Sequence, residues 1–81
     1  MNDEQIKEVI FKVLGQIAPE ADLETLTPDE NIQRKFDIDS FDALTFFIDI
    51  NEELGVEVPE SDYGKLTTLT KMIAYISKHL K

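Results

Sequence analysis

The chain has 81 residues, 42% of them hydrophobic, and a formal net charge of -9, which suits one packed domain spanning 1–81 and is too apolar for a disordered acidic tail. It holds no cysteine and one histidine, His79, which excludes a disulfide framework, a thiolate metal site and a thiol nucleophile, and one histidine cannot build a metal site alone. The acidity disfavours nucleic acid and anionic membrane surfaces as partners; with no apolar run near the roughly 20 residues of a membrane span and no basic-then-apolar signal at the N-terminus, a cytoplasmic protein is expected.

Ile6, Val9, Ile10, Val13, Leu14 and Ile17 recur at the spacing of one helical stripe, which predicts a first helix from about Asp3 to Ile17. Asn2 and Gln5 are spaced as a capping box, and Pro19 lies just past the end. A long connection from Ala18 to Ile38 follows, with Leu23, Leu26 and Ile32 placed to tack it onto the core. Within it, Thr27-Pro28-Asp29-Glu30 reads as the start of a short helical turn, with Thr27 as cap, Pro28 in the first helical position and Glu30 reaching back.

A second long helix is predicted from about Ser40 to Leu54, stopping at Gly55. Ala43, Phe46, Phe47, Ile50 and Leu54 share the face assigned to the core. Phe41, Leu44 and Ile48 form a second patch between that face and the acids Asp42, Asp49 and Glu52. Two readings of the patch stand: a wide core contact, or an exposed apolar surface rimmed by acids for partner recognition. Val56-Glu57-Val58-Pro59 alternates like a strand but is short, alone and ended by proline, so an extended linker is expected. Glu60 to Leu66 reads as a short, irregular third helix carrying Tyr63. Thr67 or Thr68 caps a last helix with Leu69, Met72, Ile73, Ile76 and Leu80 on one face. The expected fold is all-α: a small four-helix bundle of three longer helices and one short one, with a long loop between the first two.

The chemistry centres on Asp39-Ser40-Phe41-Asp42, a serine between acids where an apolar helical pattern begins. A helix start offers unpaired N–H groups and a partial positive charge that favour a phosphate. A serine there can be a cap, a nucleophile or an anchor for a phosphorylated group. A calcium loop beginning at Asp37 fails, because it needs glycine and glutamate where this chain has Asp42 and Ile48. An aspartyl phosphatase needs a preceding strand and a larger α/β domain. A hydrolytic serine needs a base and an orienter, and the lone His79 sits at the far end of the last helix. The chain therefore does not read as an enzyme, and no residue is assigned a catalytic or metal-binding role. From Asp37 through Asp62 nine acids occur without a Lys or Arg, either as a solvated face or as a docking surface for basic partners.

Asp39-Ser40-Phe41-Asp42 resembles the Asp-Ser-Leu attachment motif of acyl carrier proteins. The resemblance extends over nearly the whole chain: the first helical stripe, the tacked-down loop, the helix after the serine, Val56-Glu57-Val58-Pro59, and the Lys65-Leu66-Thr67-Thr68-Leu69 run into the last helix fall in the family's order. It implies that Ser40 carries a 4′-phosphopantetheine arm, added from coenzyme A by a separate Mg²⁺-dependent phosphopantetheinyl transferase, whose thiol holds an acyl group as a thioester. It further implies a monomeric carrier for fatty-acid or specialised acyl and lipid synthesis, visited by acyl-loading and acyl-transferring enzymes with basic docking surfaces. Asp39 would help cap the helix and contact the transferase, while Phe41, Asp42, Leu44, Ile48, Asp49 and Glu52 would dock partners. Phe47, Ile50, Tyr63 and Leu66 are candidates for an acyl-chain cleft between helices, or are simply core. Phe41 replaces the family's usual leucine, and Thr45 and Asn51 stand where many fatty-acid carriers have acids, which suggests a dedicated partner set. An aminoacyl, D-alanyl or peptidyl carrier of the same fold and an unmodified interaction domain are the alternatives.

Overall fold

In the computed structural model, which describes residues 1–80, helix α1 spans Asp3–Ile17 and forms the expected capping box. Asn2 Oδ1 accepts from the Gln5 N–H at 2.9 Å, and Gln5 Oε1 accepts from the Asn2 N–H at 3.0 Å, so two otherwise unpaired donors are satisfied together. Helix α2 is a single turn, Ile32–Lys35; α3 spans Ser40–Leu54 and α4 spans Leu69–His79. Three-residue and six-residue 3₁₀ turns lie at Leu23–Thr25 and Glu60–Lys65. The fold is all-helical, as the apolar spacing implied.

The core lies where α1 packs on α3 and α4. Ile6, Ile10 and Val13 of α1, Ile50 of α3 and Ile76 of α4 are fully or almost fully buried. Among the described residues no buried side chain is polar or charged, so the core's cohesion rests on apolar burial at roughly 25 cal/mol per Å². Val56 and Val58 are buried while Glu57 between them is exposed. The alternating segment therefore docks one apolar side against the bundle without pairing to a strand. Lys12 of α1 reaches Glu53 of α3 at 3.0 Å, a surface pair across the helix interface that contributes little by itself.

The long connection differs from expectation at one point. Thr27-Pro28-Asp29-Glu30 forms a turn, and the helix begins only at Ile32, capped by Asn31, whose Oδ1 accepts from the Arg34 N–H at 3.0 Å. The anticipated reach-back is present, since Glu30 Oε1 accepts from the Thr27 N–H at 2.8 Å. That bond, with Lys35 Nζ at 3.2 Å, holds the Glu30 carboxyl below the ordinary carboxylate range. A helix from Pro28 would need the Pro28 carbonyl to accept from the Ile32 N–H. Tertiary partners take both groups instead: the Ile32 N–H donates to the Thr67 carbonyl at 2.8 Å, and the Pro28 carbonyl accepts from the N–H and the hydroxyl of Thr70, both at 3.1 Å. The loop is thereby stitched to the N-terminus of α4, and Leu26 and Ile32 are buried beneath it.

Candidate functional site

Ser40 is placed by two consecutive local devices. At the end of α2 the Ile38 N–H donates to the Gln33 carbonyl at 2.9 Å, and Asp37 adopts φ +53°. This is the six-to-one bond and left-handed residue of a Schellman stop, with aspartate at the position usually held by glycine. Ile38, next in the chain, is turned into the core and anchors the connection. The chain then extends through Asp39, which caps α3: its Oδ1 accepts from the Asp42 N–H at 2.8 Å.

Because Asp39 makes the capping bond, Ser40 is the first residue inside α3 and its hydroxyl is not used for the cap. Ser40 is exposed and stands at the positive end of a fifteen-residue helix. An open groove of about 460 Å³ runs beside it, walled by Gln33 of α2, Phe41 and Leu44 of α3, and Tyr63 and Gly64 of the second 3₁₀ turn. An accessible hydroxyl at a helix start, freed from capping and opening onto a groove, fits a bulky phosphodiester on that oxygen. A larger depression, about 710 Å³, lies between the end of α1 and the α2–α3 junction and does not include Ser40.

The other expected site residues divide into three sets. Phe41 is 74% exposed, Ile48 50% and Leu44 39%, so the second apolar patch of α3 faces solvent and is not a wide core contact. Asp42 and Asp49 are half-buried and Glu52 is exposed along the same helix. Among the described residues, the ion pairs in the acidic stretch from 37 to 62 are Lys12–Glu53 and Lys65–Asp62, at 3.0 and 3.5 Å. The third set is inside. Phe47, Ile50 and Leu66 are buried and Tyr63 is half-buried. The rings of Phe47 and Tyr63 stack at 4.4 Å, and Phe46 meets Phe47 edge-on at 5.1 Å. A cavity of about 20 Å³ remains among Phe47, Tyr63, Leu66 and their neighbours, room for about one water molecule.

His79 lies on the exposed surface, stacked on Tyr75 and with Nδ1 2.8 Å from the Tyr75 carbonyl, a contact internal to α4. Gln33 and Gly64, in the wall of the Ser40 groove, are not expected from the sequence reading. Gln33 follows from the α2 turn, for which Asn31 ahead of Ile32 is the available signal; Gly64 follows only from packing.

The fold is thus a small helical bundle with an exposed serine in the first turn of its second long helix. In comparison with known proteins, a family model described as a phosphopantetheine attachment site matches residues 4–76. Among curated proteins, an acyl carrier protein of Lactobacillus johnsonii is 32% identical over 76 residues, covering 90% of this chain and 95% of its own length. An acyl carrier protein of Lactobacillus acidophilus is 29% identical over 75 residues, with 90% and 94% covered, and one of Rubrobacter xylanophilus is 25% identical over 76 residues, with 94% and 88% covered. The chain belongs to the acyl carrier protein family, whose cofactor is a covalent 4′-phosphopantetheine.

Proposed function

We propose that Ser40 is the attachment residue, and that the chain carries acyl groups between enzymes of fatty-acid or specialised acyl synthesis without catalysis of its own. The observation that carries this reading is the exposed Ser40 hydroxyl in the first turn of α3, released from capping by Asp39, inside the matched region. When attached, the arm supplies a thiol that holds an acyl group as a thioester. The protein's own residues have simpler tasks. Asp39 and the Schellman stop at Asp37 hold the serine at one fixed place, and the N–H groups of the first α3 turn favour the phosphodiester's negative charge.

Partners are the phosphopantetheinyl transferase and acyl-loading and acyl-transferring enzymes with basic docking surfaces. Support for their footprint comes from the exposed Phe41, Leu44 and Ile48 beside Asp42, Asp49 and Glu52. Apolar anchors in the centre of a contact and charges at its rim suit repeated, transient association. Phe41, larger than the leucine usual in the family, suits a dedicated partner set. The test incubates the protein with coenzyme A, Mg²⁺ and a broad-specificity transferase and weighs the products. The native chain is expected to gain one phosphopantetheine and Ser40→Ala none; no gain on the native chain, or gain that survives the substitution, would overturn the assignment.

A further inference from the structure

We propose that Gln33 is an arm-binding residue: its carboxamide hydrogen-bonds an amide of the 4′-phosphopantetheine and seats the arm in the groove beside Ser40. The proposal rests on the assignment of Ser40 as the attachment residue and goes beyond it to how this chain holds the arm.

Gln33 carries a hydrogen-bonding group that the fold leaves unused. Asn2, Gln5 and Asn31 use their carboxamides to cap helices. Among the described residues, the Gln33 carboxamide has no hydrogen-bond partner, and no buried side-chain nitrogen or oxygen is left unpaired, so this carboxamide is open to solvent. The side chain is half-buried and lines the groove, with two N–H donors and an acceptor oxygen free for a neutral amide. Its backbone is fixed from both sides. Ile32, just before it, is buried and donates its N–H to the Thr67 carbonyl at 2.8 Å. The Gln33 carbonyl accepts from the Ile38 N–H at 2.9 Å, the bond that closes the Schellman stop. That bond also sets the entry to α3, so one device places both the base of Gln33 and Ser40. A group held in place before its ligand arrives lowers the ordering cost of binding.

The walls of the groove match the arm in order. Ser40 is itself part of the lining, so an arm leaving its oxygen starts inside this space. Beyond the phosphodiester the arm carries geminal methyl groups and then neutral amides. Leu44 and Tyr63 offer apolar surface to the methyl groups, while the carboxylate of Glu60 on the same groove disfavours a second anion, which the arm does not carry. Gln33 also lines the small interior cavity, whose other walls, Tyr63 apart, are apolar side chains. It therefore stands at the border between a wet groove and an apolar interior, where an amide that loses water without gaining a partner is costly. One net hydrogen bond there favours the seated arm by about fivefold.

The experiment modifies the isotope-labelled, full-length protein with coenzyme A and a broad-specificity transferase, confirms the product by mass, and compares the forms before and after by NMR. No acyl group is loaded, so the readout concerns the arm alone. On modification the Gln33 side-chain amide resonances are expected to shift, and the arm's geminal methyl protons to show contacts with the Tyr63 ring. One arm amide N–H is expected to exchange with solvent about fivefold more slowly than in free coenzyme A. Gln33→Leu keeps the size of the side chain and removes its hydrogen bonds. It is expected to take the arm and to melt as the native protein does, with the arm amide exchanging at the rate of free coenzyme A; Gln33→Ala gives the same comparison if the leucine variant does not fold. A native arm that exchanges like free coenzyme A and leaves the Gln33 side chain unshifted overturns the inference and leaves the carrier assignment standing. Protection that survives the substitution overturns the role of Gln33. No mass gain at all overturns the assignment of Ser40, and the inference falls with it.

Discussion

Substitutions at Asp39 and Ser40 separate the cap from the proposed attachment point, although the two residues are neighbours. Asp39 Oδ1 holds the Asp42 N–H at 2.8 Å at the start of α3. Replacing a capping residue by alanine costs about 1 kcal/mol, and losing the negative charge from the helix N-terminus adds about 0.5 kcal/mol. α3 contributes Ala43, Phe46, Phe47 and Ile50 to the core, so a frayed start is felt by the whole fold. Asp39→Ala should therefore destabilise by roughly 1.5 kcal/mol, which for a domain of this size lowers the melting temperature by roughly 6–12 °C. Asp39→Asn keeps an acceptor and should lose only about 0.5 kcal/mol. Ser40→Ala removes an exposed hydroxyl that makes no capping bond and places a better helix former in the first turn, so its stability should stay within about 0.5 kcal/mol of the parent. Urea and thermal unfolding followed by circular dichroism give the three values, read at unchanged urea dependence so that the denatured state is common to all. If Ser40→Ala proves as damaging as Asp39→Ala, or Asp39→Asn as damaging as Asp39→Ala, the division of labour between this pair is wrong.

Two backbone positions should respond in opposite directions. Gly55 ends α3 at φ +69°, and nothing lies within 4 Å of where a Cβ would stand, so Gly55→Ala should cost about 1–2 kcal/mol from backbone conformation alone; Asp37→Gly, at φ +53°, should be neutral or stabilising by up to about 1 kcal/mol, both measured by urea unfolding. The chain's two tyrosines, with no tryptophan, can be titrated by tyrosinate absorbance. Burial raises both phenols, reinforced at Tyr63 by the charge of Glu60 and at Tyr75 by its hydrogen bond to Asp62. The stability they contribute is fully present below the ordinary tyrosine pKa of about 10 and is lost as pH rises through the higher folded values. Both midpoints should exceed that of the urea-unfolded chain, and Asp62→Asn should bring Tyr75 down; a native titration matching the unfolded one would refute the burial argument. Phe41→Ala, at a side chain 74% exposed, should leave stability within about 0.5 kcal/mol while lowering kcat/KM with a partner that docks there by about tenfold or more. Equal activity with every acyl-transferring partner would remove Phe41 from the footprint.

Much of this protein is local, and local rules make it legible. The α1 capping box, the apolar stripe that follows it, the span of α3 and its stop at Gly55 depend on groups within one or two turns of each other, which a sequence displays directly. The place of Ser40 at the start of α3 is legible for the same reason, while the structure decides that Asp39 and not Ser40 makes the capping bond. The start of α2 is not legible, because the choice between a helix at Pro28 and one at Ile32 lies with Thr67 and Thr70, some 40 residues away. The patch on α3 is equally open: periodicity places Phe41, Leu44 and Ile48 on one flank, but only the positions of α1 and α4 decide whether that flank is covered. The same holds for Tyr63, whose spacing suits a core residue and a cleft residue alike. Residue order alone therefore settles the spans of the long helices and the capping box of α1, because hydrogen bonds three and four residues apart need no distant partner, while the cap of α4, left between Thr67 and Thr68, falls to Thr68 in the structure. Which apolar surface stays wet and which is buried is settled only by packing, because burial depends on the elements that arrive from elsewhere in the chain.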